Sequence, residues 1–153
     1  MDWKKPVVMA DTDMIPFWEA LKRHEFVLFR CKKCGAWYWP PAFCRFHDNE
    51  ALFGNLGWEK ASGKGKIFAF NIVYRALHPA YQDELPYCTA MIELDEGPMF
   101  GTQIIGCDPK EVYIGMPVEV VFEDITKAKY QNIIEEFTLP YCRPIETKKP
   151  THA

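Results

Sequence analysis

Hydrophobic and polar residues alternate along much of the second half of the chain. An alternation of period two is typical of strands that bury one face and expose the other. Prolines and glycines separate the alternating runs, where they interrupt strand pairing or supply turns. The pattern predicts five strands, which would close into a small barrel without exposed edges. The runs are IFAFNIVYRAL (67–77), YCTAMIELD (87–95), MFGTQIIG (99–106), PVEVVFED (117–124) and IIEEFTLPY (133–141).

The first part of the chain has a helical pattern instead. Thr12 or Asp13 is expected to cap a short helix that carries Pro16 in its first turn. Basic residues near the predicted end suit the negative end of the helix dipole. We expect this helix to pack across a sheet or against a partner rather than to have a catalytic role. Its apolar face comprises Phe17, Trp18 and Leu21, and its basic end comprises Lys22, Arg23 and His24.

Metal-binding residue types follow a strand predicted for FVLFR (26–30). Cys31 and Cys34 form a C-x2-C pair, and Cys44 and His47 form a second pair after nine intervening residues. Structural zinc takes four Cys or His ligands in a tetrahedron, and two turns with this spacing supply them. We therefore predict one structural zinc ion per chain, bound by Cys31, Cys34, Cys44 and His47.

Other interpretations of these residues remain open. A C-x2-C pair is also a redox motif, but that role favours a thioredoxin-like βαβ setting. His47 is the least secure ligand, because Asp48 or a water molecule would also complete the shell. Gly35 can adopt the positive φ that the first turn needs. The basic neighbours would offset the charge of three thiolates or form a rim for a phosphate-bearing ligand; they are Arg30, Lys32, Lys33 and Arg45.

The chain is accordingly expected to be mainly β, with an N-terminal helix and a zinc ribbon followed by a five-stranded OB-fold barrel. We predict a tail and helix over residues 1–25, the zinc ribbon over 26–60, the OB-fold domain over 61–145 and a polar tail over 146–153.

Composition narrows the function classes. The net charge of -3 disfavours nucleic acid as a partner, although 15% of the residues are aromatic. No apolar run is long enough to cross a membrane and no secretory signal precedes the helix, so we expect a cytoplasmic protein. Metal binding then explains the cysteines better than disulfides do. Cys88, Cys107 and Cys142 stand singly in apolar runs, where buried free thiols are expected.

The remaining candidates for chemistry are weak. Gly63 and Gly65 lack the following helix that a phosphate-binding loop requires, so they are expected to form a hinge. Glu93, Asp95 and Glu96 suit a solvated hairpin turn. No catalytic residue is predicted. His78 and Tyr81 lie in a loop that commonly takes part in binding in OB folds, and Arg75 lies just before it, although a surface loop without function is the favoured explanation of each residue singly.

Taken together, these features resemble the DUF35 family, in which a rubredoxin-like zinc ribbon precedes an OB-fold domain. The resemblance covers most of the chain. His47 stands where the family usually has a fourth cysteine, and residues 127–136 are longer and more polar than the loop expected there. The motifs on which the resemblance rests are FWEAL (17–21), RCKKCG (30–35), the PP before Cys44, SGKGKIFAF (62–70), LPY (85–87), ELDEG (93–97) and IGMPVEVVFED (114–124).

The resemblance implies a non-catalytic accessory subunit of acyl-CoA enzymes, namely thiolases and related hydratases and aldolases. The resemblance is greatest to the small subunits of thiolases that cleave benzoylsuccinyl-CoA. It implies a larger, thiolase-like partner subunit that carries the catalytic nucleophile. It also implies that acyl-CoA or CoA binds at or near the interface between the two subunits. A stand-alone acyl-CoA binding or carrier module is the alternative. The rings of residues 17–18 and 37–39 are expected either to contact the partner or to pack internally.

Overall fold

The computed structural model describes residues 3–47, 55–130 and 133–145. Asp48, the polar tail 146–153 and the start of the N-terminal tail lie outside these described residues. A short 3-10 turn, Thr12–Met14, leads into one α-helix, α1 (Ile15–Lys22). The strands are β1 (Val27–Cys31), β2 (Trp37–Tyr38), β3 (Leu56–Lys60), β4 (Lys64–Val73), β5 (Tyr87–Leu94), β6 (Met99–Ile104), β7 (Pro117–Tyr130) and β8 (Ile133–Pro144).

Helix α1 forms where the sequence predicts it, but it begins differently. Thr12 and Asp13 lie in the 3-10 turn, and Met14 is the N-cap residue, without a capping side-chain hydrogen bond. The expected cap was therefore wrong, because the 3-10 turn moves the start of the α-helix beyond both residues. The apolar face is buried as predicted, with Phe17 and Leu21 almost inaccessible to solvent.

The ribbon is a three-stranded antiparallel sheet in the order β2-β1-β3. Strand β3 pairs with the whole of β1, from Val27 opposite Lys60 to Cys31 opposite Leu56. Sequence reasoning missed β3, because its glycine and glutamate weaken the alternating pattern. This strand anchors the end of β1 that carries Cys31.

The five remaining strands form a closed barrel in the order β4-β5-β6-β8-β7, which confirms the predicted fold class. Antiparallel pairing of β4 with β7 closes it on one side. On the other side, β6 and β8 run parallel and pair at one position among the described residues, Ile104 opposite Cys142. Strand β7 continues to Tyr130 and pairs with β8, so residues 127–130 and 133–136 lie in paired strands where a loop was expected.

The ribbon and the barrel share one hydrophobic core. Phe26 at the start of the ribbon packs edge-to-face on Phe100 of β6, with ring centroids 5.2 Å apart. Trp39, which follows β2, contacts the same Phe100 ring at 5.3 Å and the Phe17 ring at 4.5 Å. This packing fixes the helix and the ribbon on the barrel. Within the described ranges, no helix is long and apolar enough to span a membrane.

Candidate metal centre and ligand surfaces

The four residues predicted as zinc ligands lie together. The Sγ atoms of Cys31, Cys34 and Cys44 and a ring nitrogen of His47 are all within 4.8 Å of one another. The Cys34 and Cys44 sulfurs are 3.5 Å apart, and His47 Nδ1 lies 3.8 Å from Cys31 Sγ and 3.5 Å from Cys44 Sγ. Cys31 and Cys44 are buried, while Cys34 is exposed and His47 is half-buried.

Two tight turns bring these side chains to one point. In the first, the Gly35 amide donates to the Cys31 carbonyl at 2.7 Å, and Gly35 has the expected positive φ of 77°. The Cys31 amide then donates to the Ala36 carbonyl at 2.9 Å. In the second turn the His47 amide donates to the Cys44 carbonyl at 3.1 Å. Each turn therefore presents two ligand-type side chains on the same side.

The geometry fits a tetrahedral zinc ion. Zinc–sulfur bonds of about 2.3 Å and a zinc–nitrogen bond of about 2.0 Å give tetrahedron edges of roughly 3.5–3.8 Å. The three distances between ligand-type atoms fall in this range. His47 would bind through Nδ1, the nitrogen that faces the sulfurs.

The electrostatics of the cluster favour a cation. Burial acts to raise the pKa of the Cys44 thiol, but hydrogen bonds from the Tyr38 hydroxyl, the Phe46 amide and His47 outweigh it and lower that pKa to about 6. The Ala36 amide lowers the pKa of Cys34, yet desolvation and the neighbouring Cys44 and Cys31 thiols leave it raised. Adjacent thiols thus resist joint ionisation unless positive charge compensates them.

The Tyr38 side chain contacts the cysteine cluster through its hydroxyl group. Its hydroxyl donates to Cys44 Sγ at 3.4 Å and accepts from the Arg45 amide at 3.0 Å. Tyr38 is 8% exposed, so its ring orientation is set by packing. Such outer contacts orient the residues that bind a metal. The sequence singled out Tyr38 only as one of the rings of residues 37–39.

Arg30 makes several contacts within the ribbon. Its guanidinium donates to the Gly35 carbonyl and to Glu59, and it lies 4.6 Å from the centroid of the Trp37 ring. Arg45 lies 6.0 Å from the centroid of the Tyr38 ring. Both side chains thus contact other residues of the ribbon, and the two roles given to the basic residues, compensation of thiolate charge and a phosphate-binding rim, stay predictions.

The structure partly brings together the three loop residues predicted to bind a ligand. His78 Nδ1 accepts from the Ala80 amide and caps a 3-10 helix, Pro79–Glu84, so it has a structural role. The Tyr81 ring lies 6.1 Å from the His78 ring and lines a cleft beside the barrel. Arg75 is exposed in the loop after β4.

The aromatic rings proposed as a partner surface pack mainly inside the protein. Phe17 and Tyr38 are buried, while Trp18, Trp37 and Trp39 are half-buried. Phe17 and Tyr38 therefore pack internally, whereas for the three half-buried tryptophans a contact with a partner stays a prediction. The most exposed large apolar side chains lie elsewhere, including Phe43, Phe46, Phe68, Tyr74, Leu77, Tyr113 and Ile114.

The three remaining cysteines are free thiols, but not all are buried. Cys88 and Cys142 are each 1% exposed. Burial raises the pKa of Cys142 to about 12. Cys107 is half-buried and lies beyond the end of β6, so its expected place within a strand was wrong. Gly106, with a φ of 79°, ends the strand pattern just before it.

A polar network between the helix and the barrel was not anticipated. His24 Nε2 lies 2.9 Å from Asp124 Oδ2, and the buried Thr138 hydroxyl donates to Asp124 Oδ1 at 2.6 Å. The His24 ring stacks on Phe122 with centroids 5.1 Å apart. His24 and Asp124 are 100 residues apart, so nothing local in the sequence pairs them.

Two protein families match successive parts of the chain. Residues 18–46 match the family described as ChsH2, rubredoxin-like zinc ribbon domain. Residues 58–123 match the one described as ChsH2, C-terminal OB-fold domain. These ranges contain the candidate ligands except His47, and most of the barrel.

Similar proteins match most of the chain. A DUF35 domain-containing scaffold protein of Methanocaldococcus jannaschii is 36% identical over 120 residues, covering 77% of this chain and 82% of the relative. A probable enoyl-CoA hydratase alpha subunit of Thermomonospora curvata is 33% identical over 92% of this chain, but the match spans only 39% of that relative. A solved structure described as Ltp2-ChsH2(DUF35) aldolase contains a chain 30% identical, with a TM-score of 0.70 and coverage of 92% of this chain and 98% of that one. The chain therefore belongs to the DUF35 family, as a zinc-ribbon and OB-fold protein.

Proposed function

We propose that this chain is the non-catalytic, zinc-containing subunit of a heteromeric acyl-CoA enzyme of the thiolase type. The observation that carries the subunit role is the likeness of this chain to nearly the full length of a chain in the solved structure described as Ltp2-ChsH2(DUF35) aldolase. The thiolase type rests on the resemblance given above. The name of the hydratase relative also denotes a subunit of an acyl-CoA enzyme. In this proposal the larger partner supplies the catalytic nucleophile, and this chain shapes or closes the site.

In this function, Cys31, Cys34, Cys44 and His47 hold one structural zinc ion per chain. The ion, when bound, cross-links the two turns of the ribbon and supplies no open position for substrate. The donor set of three sulfurs and one imidazole nitrogen supports zinc over harder cations, which prefer oxygen ligands. Zinc thereby maintains the ribbon surface that the partner contacts.

Exposed rings provide candidate contact points for that partner. Phe43 and Phe46 flank Cys44 at the tip of the ribbon and are 60% and 68% exposed. Phe68 projects from the barrel at 57% exposure. Exposed aromatic side chains are enriched where protein interfaces form. We therefore assign the ribbon tip to the interface, with Phe68 as a second contact.

The proposed substrate is benzoylsuccinyl-CoA, cleaved with CoA to benzoyl-CoA and succinyl-CoA in anaerobic toluene degradation. This finer assignment rests on the resemblance given above. Arg75 is an exposed cation at the barrel surface that is suited to the phosphates of any CoA ester. His78 and Tyr81 lie in the same segment, so we propose that acyl-CoA or CoA passes near this loop.

A second candidate function is an accessory role in an acyl-CoA hydratase or aldolase. The names of the hydratase relative and of the aldolase structure favour it. The partner's chemistry separates the two candidates, because this chain would be a scaffold in both. A stand-alone acyl-CoA carrier would instead bind no enzyme in fixed ratio.

The test is to capture this chain from its native cell, identify the large protein that co-purifies in fixed ratio, and assay each protein alone and both together. Thiolytic cleavage of benzoylsuccinyl-CoA only by the combination supports the thiolase proposal. Hydration or carbon–carbon cleavage without CoA consumption supports the second candidate. Full activity of the large protein alone contradicts an accessory role.

Surface variants test the proposed interface. Phe46→Glu should reduce the amount of partner that co-purifies by about tenfold, because a carboxylate replaces an apolar contact. Met9→Glu is the matched control, since Met9 is 84% exposed and lies outside the ribbon. Equal recovery of the partner by both variants would remove the ribbon tip from the interface.

A further inference from the structure

A half-open cleft lies between β6 and β8 and is distinct from the metal cluster. Its volume is about 380 Å³. The two strands pair at Ile104 and Cys142, and their residues on one side of this pair form opposite walls. The walls are completed by the N-terminal segment, the start of α1 and the ribbon; the lining residues used below are Met14, Trp18, Trp39, Thr102, Gln103 and Tyr141.

Aromatic rings make the apolar wall rigid. Half-buried Trp18 packs on the buried Phe17 ring, with centroids 5.4 Å apart. Half-buried Trp39 is held between Phe17 and Phe100, at 4.5 Å and 5.3 Å. Because the core fixes these rings, the cleft does not have to be organised when a ligand enters, and organising it would otherwise reduce affinity. The wall therefore suits a flat apolar molecule.

The opposite wall carries a few uncharged polar groups. The Thr102 hydroxyl donates to the Pro140 carbonyl at 2.6 Å, which leaves its oxygen able to accept. In the part of the chain that the structure describes, Gln103 and Tyr141 line the cleft without a side-chain hydrogen-bond partner. Apolar pockets with a small number of such groups are typical of small-molecule sites.

The charges around the cleft favour a neutral ligand. Lys5 is ion-paired with Glu84, and its ammonium lies 5.1 Å and 5.0 Å from the centroids of the Trp3 and Tyr81 rings. Its charge is therefore already compensated. Burial, together with the nearby carboxylates Glu123 and Glu84, raises the pKa of Tyr141 well above its usual value, so its hydroxyl stays protonated. Among the described residues that line the cleft, no other cation is present to pair with a carboxylate.

From this geometry we propose that the cleft between β6 and β8 binds a small, neutral, ring-containing molecule with a hydrogen-bonding substituent. An apolar cavity of about 150 Å³ holds one benzene ring. The larger cleft has room for a fused pair of rings, or for one ring with a short chain. This inference goes beyond the proposed function and does not depend on it, because binding requires no partner protein.

The experiment measures binding of 2-naphthol to the full-length chain by calorimetry and by ligand-observed NMR. Saturable binding with about one site is expected, and 2-naphthoate should bind at least about tenfold more weakly because its charge is uncompensated. Met14→Glu should weaken 2-naphthol binding by about tenfold or more, since it places a carboxylate in the apolar lining. Met14 is the N-cap residue of α1, where a negative charge suits the helix dipole, so this variant should fold.

Met9→Glu is the matched control and should bind like the parent, because Met9 is exposed on the same N-terminal segment outside the cleft. Trp18→Leu removes part of the aromatic wall and should weaken binding several-fold. Circular dichroism checks that each variant is folded. The proposal is overturned if 2-naphthol shows no saturable binding, or if folded Met14→Glu and Trp18→Leu both bind it as tightly as the parent does.

Discussion

Different interactions stabilise the ribbon and the barrel. Among the described residues, the main core contains sixteen buried residues and includes the barrel interior, α1 and the start of β1. The ribbon's own cluster contains three, namely Cys31, Tyr38 and Cys44. Two of these three are candidate zinc ligands. A cluster of this size cannot offset the conformational entropy of two ordered turns, so we expect the ribbon to depend on a bound metal ion far more than the barrel does.

The comparison is tested most strongly by removing a candidate ligand. Cys31→Ser should abolish zinc binding and unfold the ribbon, because the binding energy of structural zinc, about 10–16 kcal/mol in isolated zinc-finger peptides, is also folding energy. The barrel should retain slow amide exchange. Metal analysis and hydrogen exchange by residue measure the two effects.

Cys107→Ser is the matched control, since Cys107 is a free thiol outside the metal cluster. It should keep about one zinc per chain. Parent protein that contains no zinc when purified without chelators would contradict the ligand assignment. A Cys31→Ser variant with a fully protected ribbon would show that packing alone is sufficient.

The second test concerns the contact between the two regions. Phe17 is 1% exposed and its ring meets those of Trp18, Phe26, Trp39 and Trp58. Phe17→Ala should lower the free energy of unfolding by about 3–5 kcal/mol through the cavity it leaves. Ile15→Ala on the same helix is the control, because Ile15 is 47% exposed and should lose less than about 1 kcal/mol. Urea denaturation measures both, and equal losses would mean that α1 does not join the regions.

A third test acts on the barrel alone. A Cβ atom at Gly65 would overlap the Glu93 carbonyl oxygen and lie 2.8 Å from Ile92 Cγ2. Gly65→Ala should therefore cost about 2–3 kcal/mol, since β4 must shift against β5. At Gly57 in the ribbon, the nearest atom to an added Cβ is 3.5 Å away, so Gly57→Ala is a matched control. Thermal unfolding compares them, and a Gly65→Ala protein as stable as Gly57→Ala would contradict the close approach of the strands.

The smallest expected effect concerns the polar contact between His24 and Asp124. The Thr138 hydrogen bond, and then His24, lower the pKa of Asp124 below its usual value. A carboxyl group with a lowered folded-state pKa contributes stability above its unfolded pKa of about 4, and this contribution is lost as pH falls through the folded value. Asp124→Asn should therefore be less stable than the parent at pH 7, and the difference should shrink in acid.

Denaturant midpoints at pH 7 and pH 3 measure this difference. Glu136→Gln is the control, because Glu136 is an exposed carboxylate on β8, the same strand as Thr138. Substitution of Glu136 should leave the free energy of unfolding nearly unchanged at both pH values. A loss for Asp124→Asn that grows on acidification would have the wrong sign for a lowered pKa.

Local spacing in the sequence determined much of the fold and the composition of the candidate site. The alternation after Gly65 predicted the five barrel strands, because side chains on successive strand residues must point to opposite faces. The two pairs that begin at Cys31 and Cys44 were recognisable because a metal site built from tight turns needs its ligands close together in the chain. The zinc ion itself stays a prediction.

Only the tertiary structure decided which distant residues meet. It buried Phe17, which the sequence offered equally as a surface ring, and it placed His24 against Asp124. It also opened the cleft between β6 and β8, which depends on where two strands stop pairing. Contacts of this kind arise from the packing of the whole core, and no local spacing encodes them. The periodicity of the chain thus predicted its helix and barrel strands. The packing of these elements decided which side chains are buried and where the cleft lies.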